Sequence, residues 1–201
     1  MQKAMPTDIK TWLGCFSDSA TDNLRQLNCI IELIDQSPLG SAAGFGIRGV
    51  KIDREMTAKE MGFAKVMKNP VYCQMSRGKF EAGILNLLTQ VMFDLNKLAT
   101  DLMLFSMQEF GYVSLPEEFC TGSSIMPQKK NCDVLELIRA KYHVVLSEEF
   151  KVKSLTSNLM SGFNRDMQLT KGPVISAFST AGHSVRVMTL IIKNMKIDRK
   201  K

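Results

Sequence analysis

The sequence predicts an all-α fold, a bundle of long helices of the kind that packs with further chains, and three observations carry the prediction. Apolar residues at Ile84, Leu88, Val91, Leu95, Leu98, Leu102 and Phe105 step alternately by four and three residues, the seven-residue repeat of helices that share a seam. The 6 prolines and 13 glycines gather at a few places, which leaves long uninterrupted segments between them. No segment reads convincingly as a strand.

Taken in order, the first helix is expected from Thr7, an N-cap residue, with apolar positions at Leu13, Phe16, Ala20, Leu27, Ile30 and Ile34 and Asn23 in the one polar gap. Ser37-Pro38-Leu39-Gly40 ends it. Residues 40–56 are Gly-rich and basic and read as a loop, and a short helix follows over 57–63. The heptad segment predicts one helix over 73–110, roughly 55 Å long at 1.5 Å per residue. A helix of that length cannot bury itself within 22.5 kDa, so its flanks call for other chains. Periodicity stops over 111–131 and resumes over 132–151 and 166–195, the latter at Phe178, Ala181, Val185, Met188, Ile192 and Met195. All 201 residues are expected to form one central bundle domain.

Composition bounds the function classes. With 45% hydrophobic and 23% charged residues the chain has the material for a packed core, which excludes disorder as its main state. No apolar run reaches the ~18 to 20 residues that span a bilayer and the first twenty residues show no signal pattern, so a cytoplasmic protein without a membrane partner is expected. Five cysteines at wide spacings and only two histidines, His143 and His183, speak against a disulfide framework and against a metal site. The net charge of +6 suits an anionic partner, although Lys193, Lys196, Arg199, Lys200 and Lys201 concentrate part of it at the end. Without aromatic interleaving or a motif, that charge makes a nucleic-acid binder a poor reading.

The aperiodic stretch contains Thr121-Gly122-Ser123-Ser124-Ile125-Met126-Pro127-Gln128-Lys129-Lys130-Asn131, a Gly-Ser-Ser turn followed by two cations and an amide just before a helix. Chemically this is a carboxylate cradle: Gly122 permits an unusual turn that exposes N–H groups, the serines add hydroxyls, and the lysines bring charge to where an oxyanion develops. The plainer alternative is that Asn131 caps the helix, Asp133 and Glu136 suit its positive end, and Lys129 and Lys130 are solvated. Residue types alone leave both open.

The string Gly-Ser-Ser-x-Met-Pro-x-Lys-x-Asn over residues 122–131 resembles the fumarase/aspartase superfamily, whose members eliminate fumarate from succinyl compounds. Gln128-Lys129-Lys130-Asn131, then Asp133 and Leu135-Glu136-Leu137-Ile138-Arg139, is most similar to its argininosuccinate lyase family. Gln2, Ala4 and Pro6, then Pro38-Leu39-Gly40-Ser41 with Asp53-Arg54-Glu55, and Asp166, Gln168 and Lys171 extend the resemblance over nearly the whole chain. There are departures: Cys132 stands where that family usually has proline, and Phe163 where it usually has a tyrosine whose hydroxyl meets the arginine part of the substrate. The family's catalytic histidine would lie directly before Met1, and its N-terminal and C-terminal domains are not in this chain, so Met1 reads as an internal methionine and the isolated chain is expected to be inactive.

The resemblance implies that Ser123 takes the proton from the carbon beside a carboxylate, with Ser124 as the neighbouring alternative. It implies that Lys129 and Asn131 stabilise the charged intermediate and that Glu136 orients the family's histidine. Gln2, Ser124, Gln168 and Lys171 are then substrate-binding residues, His143 and His183 are structural, and no cofactor or metal is required. Argininosuccinate would be the substrate and a homotetramer the working form, with each active site shared between subunits. Two other readings remain: a fumarase, aspartase or adenylosuccinate lyase relative, and a truncated bundle serving as a non-catalytic scaffold.

Overall fold

A computed structural model describes residues 2 and 4–198; Met1, Lys3 and the basic Arg199, Lys200 and Lys201 lie outside the described residues. Among the described residues there are six helices: α1 (Ile9–Ile34), α2 (Arg54–Glu60), α3 (Pro70–Met75), α4 (Lys79–Phe105), α5 (Asp133–Thr156) and α6 (Lys171–Asn194). Between them lie four two-residue strands, β1 (Gln36–Ser37), β2 (Lys65–Val66), β3 (Val113–Ser114) and β4 (Lys196–Ile197), and two 3₁₀ turns at Glu117–Phe119 and Arg165–Thr170. β1 pairs parallel with β2, Gln36 facing Lys65, and β3 pairs antiparallel with β4, Val113 facing Ile197.

Several boundaries differ from expectation for local reasons. The cap of α1 is Asp8, whose carboxylate accepts the Thr11 N–H at 2.7 Å, in place of Thr7. The short helix starts three residues early because Asp53 caps it by accepting the Met56 N–H at 2.9 Å. The helix expected over 73–110 is two helices broken at Ser76-Arg77-Gly78. Asn69 caps α3, with Pro70 at its first position, which leaves the chain to restart at Gly78. Gly78 holds φ at +81°, its N–H donates to the Glu81 carboxylate at 2.6 Å, and its carbonyl opens α4 by accepting the Ala82 N–H. A Cβ there would meet the Thr156 side chain at 2.6 Å. Gly78→Ala is therefore expected to cost ~1–3 kcal/mol through the left-handed backbone and the collision with Thr156, read as a lower urea midpoint.

The chain divides into two compact units. The first comprises Met1–Leu24, Leu88–Val145 and Phe178–Lys201. Its core gathers Leu98, Ala99 and Leu102 of α4, Val113 of β3, Leu135 and Ile138 of α5, and Met188 and Ile191 of α6. Trp12 of α1 packs against it, its ring edge-on to Phe105 at 5.1 Å and its indole N–H donating to Asp101 at 2.9 Å. Ser19 and Asn23 both donate to the Asp94 carboxylate at 2.7 Å, so α1 is fastened to α4 by polar contacts and has no buried residue of its own.

The second unit comprises Arg25–Leu87 and Leu146–Ala177. Ala58, Met67, Cys73, Leu85, Leu87, Val152 and Met167 are its buried apolar residues, with Ala177 at its end. Arg54 ties the segment before α2 to the turn before α3 by donating to the Leu39 carbonyl at 2.6 Å and the Met67 carbonyl at 2.8 Å. Glu149 of α5 is buried, and the Asn86 amide and the Lys153 ammonium both donate to it.

The apolar seams are doubled. On α4 the buried apolar positions are Leu85, Leu87, Met92, Leu98, Ala99 and Leu102, while Ile84, Leu88, Val91 and Leu95 of the expected repeat are half-buried. On α6, Ala177, Ala181, Ser184, Met188 and Ile191 face inward and Ile175, Phe178, Val185 and Leu190 remain exposed. Among the described residues, the segment Arg165–Asn194 is long and apolar enough to cross a membrane by length and composition. Its first turns carry Arg165, Asp166 and Lys171, with Arg186 in its body, and its inner stripe packs in the protein core.

Candidate active site

The loop over 121–131 is a closed excursion. Thr121 and Asn131 form an isolated antiparallel bridge, each N–H donating to the other's carbonyl at 3.0 and 2.9 Å. Nine residues are thereby looped out from a neck only two hydrogen bonds wide. This use of Asn131 replaces the helix-capping alternative: α5 begins at Asp133, and the Cys132 carbonyl takes the Leu135 N–H.

Inside the loop the Ser123 hydroxyl oxygen accepts the N–H groups of Ile125 at 3.3 Å and Met126 at 3.2 Å. A serine oxygen held by two backbone donors is one whose anionic form is favoured, because hydrogen bonds to the charged state lower its cost. The Lys129 N–H closes the next turn on the Met126 carbonyl at 3.0 Å. Gly122 does not adopt the unusual backbone expected of it: its φ is not positive, and a Cβ would meet nothing closer than the Lys129 carbonyl at 3.9 Å. The N–H donors come from the residues after Ser123.

The two lysines have separate surroundings. Lys130 pairs with Glu117 from the 3₁₀ turn, and that hydrogen bond and charge hold the Glu117 carboxyl below its usual range. The tether is complete above that lowered value and loosens as pH falls through it, and being exposed it orders the loop more than it stabilises the fold. Lys129 has no carboxylate partner among the described residues and lines a cleft of ≈ 450 Å³ with Gln108, Ser114, Gln128 and Lys130. The cleft is of mixed lining, with Val113, Leu115 and Met126 beside the polar residues, and an unneutralised ammonium at its edge is suited to an anion.

The remaining expected site residues are distributed. Ser124 is exposed beside Ser123, Glu136 is exposed one turn into α5, and Gln2 is exposed ahead of α1; with Lys129 and Asn131 these belong to the first unit. Gln168, on the 3₁₀ turn, and Lys171, the first residue of α6, are exposed and belong to the second. Lys171 continues without a break from the 3₁₀ turn Arg165–Thr170, as the first residue of α6. Phe163, in the place of the expected tyrosine, lies half-exposed under the Arg77 guanidinium at 5.9 Å. His143 is exposed and stacked edge-on to Tyr142 at 4.9 Å, and His183 is exposed on α6; neither joins the loop. Glu117 as a tether and Thr121 as the neck went unnoticed in the sequence, where only a charge and a hydroxyl mark them.

A family model described as lyase matches residues 1–147. The argininosuccinate lyase of Thermotoga neapolitana is 48% identical over 200 residues, covering 100% of this chain and 50% of that protein. That of Sorangium cellulosum is 42% identical over 201 residues, covering 100% of this chain and 46% of the relative. The crystal structure of class II fumarase from Schistosoma mansoni superposes with a TM-score of 0.84 over 100% of this chain and 47% of its own, at 17% identity, so it shares the fold. The chain spans about half the length of the curated relatives it matches. On the matched helices and the loop between them, the chain belongs to the lyase family of the fumarase/aspartase superfamily.

Proposed function

We propose that this chain is the central helical segment of an argininosuccinate lyase, a cytoplasmic carbon–nitrogen lyase that splits argininosuccinate into arginine and fumarate without a cofactor. The observation that carries the reading is the Ser123 oxygen cradled by two backbone N–H groups, in the same closed loop as an unpaired Lys129. As an alkoxide, Ser123 removes the proton from the carbon beside a carboxylate of the succinyl part. The electron pair moves into that carboxylate, and Lys129 and Asn131 stabilise the doubly charged species. The pair then returns to form the fumarate double bond as the carbon–nitrogen bond breaks, and the leaving nitrogen is protonated as arginine departs. Ser124, Gln2, Gln168 and Lys171 bind substrate, and Glu136 orients the general acid or base supplied from outside this chain.

The working form is a homotetramer whose subunits share active sites. Supporting it are the outward apolar residues of three long helices: Leu24, Leu27 and Ile31 on α1, Leu137 and Val144 on α5, and Phe178 and Val185 on α6. Apolar stripes of this kind mark surfaces that another chain covers.

Grafting tests the reading. Residues 1–201 would replace the matching half of the Thermotoga neapolitana lyase. The graft is expected to assemble as a tetramer and to release fumarate from argininosuccinate and not from adenylosuccinate, aspartate or malate. Release from one of those substrates would favour another lyase of the superfamily. A folded, assembled graft releasing none would favour the scaffold reading.

A further inference from the structure

The neck of the loop carries two free thiols that the elimination chemistry does not use. Cys120 and Cys132 flank the Thr121 and Asn131 bridge, and their Sγ atoms lie 3.7 Å apart. Because Thr121 and Asn131 exchange both backbone hydrogen bonds, the next pair outward, Cys120 and Cys132, occupies a non-hydrogen-bonded position. Facing Cα atoms there are about 4.5 Å apart, which falls inside the separation a disulfide tolerates, about 4.4–6.8 Å. Both thiols are half-buried and line the same cleft as Lys129, which gives a small oxidant a way in. We infer that Cys120 and Cys132 are a disulfide-forming pair, a modification site that converts the hydrogen-bonded neck of the Ser123 loop into a covalent ring.

The oxidant is a small disulfide such as oxidised glutathione. A thiolate of the pair attacks one of its sulfurs, expelling one glutathione thiolate and forming a mixed disulfide. The second cysteine, deprotonated, attacks the protein-bound sulfur and expels the other glutathione. Two protein thiols are oxidised, one glutathione disulfide is reduced to two thiols, and the Sγ atoms close from 3.7 Å to about 2.05 Å. Burial, the Cys132 thiol and the Asp133 carboxylate push Cys120 up to about 11 against the opposing Lys130, so Cys120 rests as a thiol at neutral pH. In a glutathione-reduced compartment the pair is open, and an oxidising shift closes it.

The inference does not depend on the substrate proposed above, and the folded 201-residue chain tests it directly. Incubation with oxidised glutathione is expected to remove the Cys120 and Cys132 thiols, whatever glutathione the exposed Cys15 and Cys29 also take up. Digestion without reductant should yield a Cys120–Cys132 cross-linked peptide, dithiothreitol should restore both thiols, and trypsin should cut more slowly after Lys129 and Lys130 in the oxidised chain. In Cys120→Ser, checked for unchanged helicity, Cys132 should form no intrachain bond. Glutathione attached only to the exposed Cys15 and Cys29, with Cys120 and Cys132 still open to alkylation, would overturn the inference, as would a cross-link joining separate chains.

Discussion

Ser123→Ala, introduced into the graft described above, is expected to lower fumarate release by ~10²- to 10⁴-fold while leaving assembly and helicity unchanged. The size follows from what the substitution removes. Alanine deletes the proton acceptor and leaves the Ile125 and Met126 N–H groups to water, which cannot be positioned as the hydroxyl is. Ser124→Ala is the internal control: Ser124 is exposed and none of the described contacts fixes its hydroxyl, so its loss should act on KM more than on kcat. Equal collapse of both variants would return the choice of base to the pair of serines. A collapse with Ser124→Ala alone would move the role to Ser124. Lys129→Met should cost ~10²-fold or more in kcat, the usual price of removing one donor from a developing oxyanion.

The second large effect is on stability. Leu135→Ala and Leu102→Ala, each at a fully buried site of the first unit's core, should each lower unfolding free energy by ~2–5 kcal/mol. Against a total of roughly 5–15 kcal/mol for a domain, either change removes a substantial fraction of the stability. Leu137→Ala, two residues from Leu135 on the outer face of α5 and 57% exposed, separates core from interface. In a monomer it should change stability by no more than ~0.5 kcal/mol, whereas a chain packed on that face in a homo-oligomer would make its loss concentration-dependent. Urea midpoints at two protein concentrations distinguish these outcomes.

Helices were legible in the sequence because their signal is local. The seven-residue spacing of α4 and the caps near α1 and α2 are written in neighbouring residues. The misreadings lie where a distant part of the chain decided the outcome. The helix expected over 73–110 breaks at Ser76-Arg77-Gly78, where Gly78 turns left-handed and Thr156 leaves no room for a Cβ. The expected repeat on α4 meets the core at Leu98 and Leu102, but its Ile84, Leu88, Val91 and Leu95 are half-buried while Leu85, Met92 and Ala99 are buried, because a helix apolar on two faces offers two equally regular repeats. The two-residue strands pair residues as far apart as Val113 and Ile197, and no window of sequence contains both. Within the loop, residue types left a carboxylate cradle and a capped, solvated turn both open, and the roles expected of Ser123 and Lys129 came from a family resemblance. The pinch was not legible: wide cysteine spacing argued against pairing, yet the backbone returns on itself at Thr121 and Asn131 and brings Cys120 to Cys132.

The fastening of α1 has a consequence for synthesis on the ribosome. Asp94 and Asp101, which receive Asn23, Ser19 and Trp12, are translated some seventy to ninety residues after them, a wait of ~4–18 s at ~5–20 residues per second. Throughout that interval Trp12, Ser19 and Asn23 lack the α4 carboxylates that later receive them. Helix α1 is thus made well before its seat on α4 exists, which gives holding chaperones that interval in which to engage it.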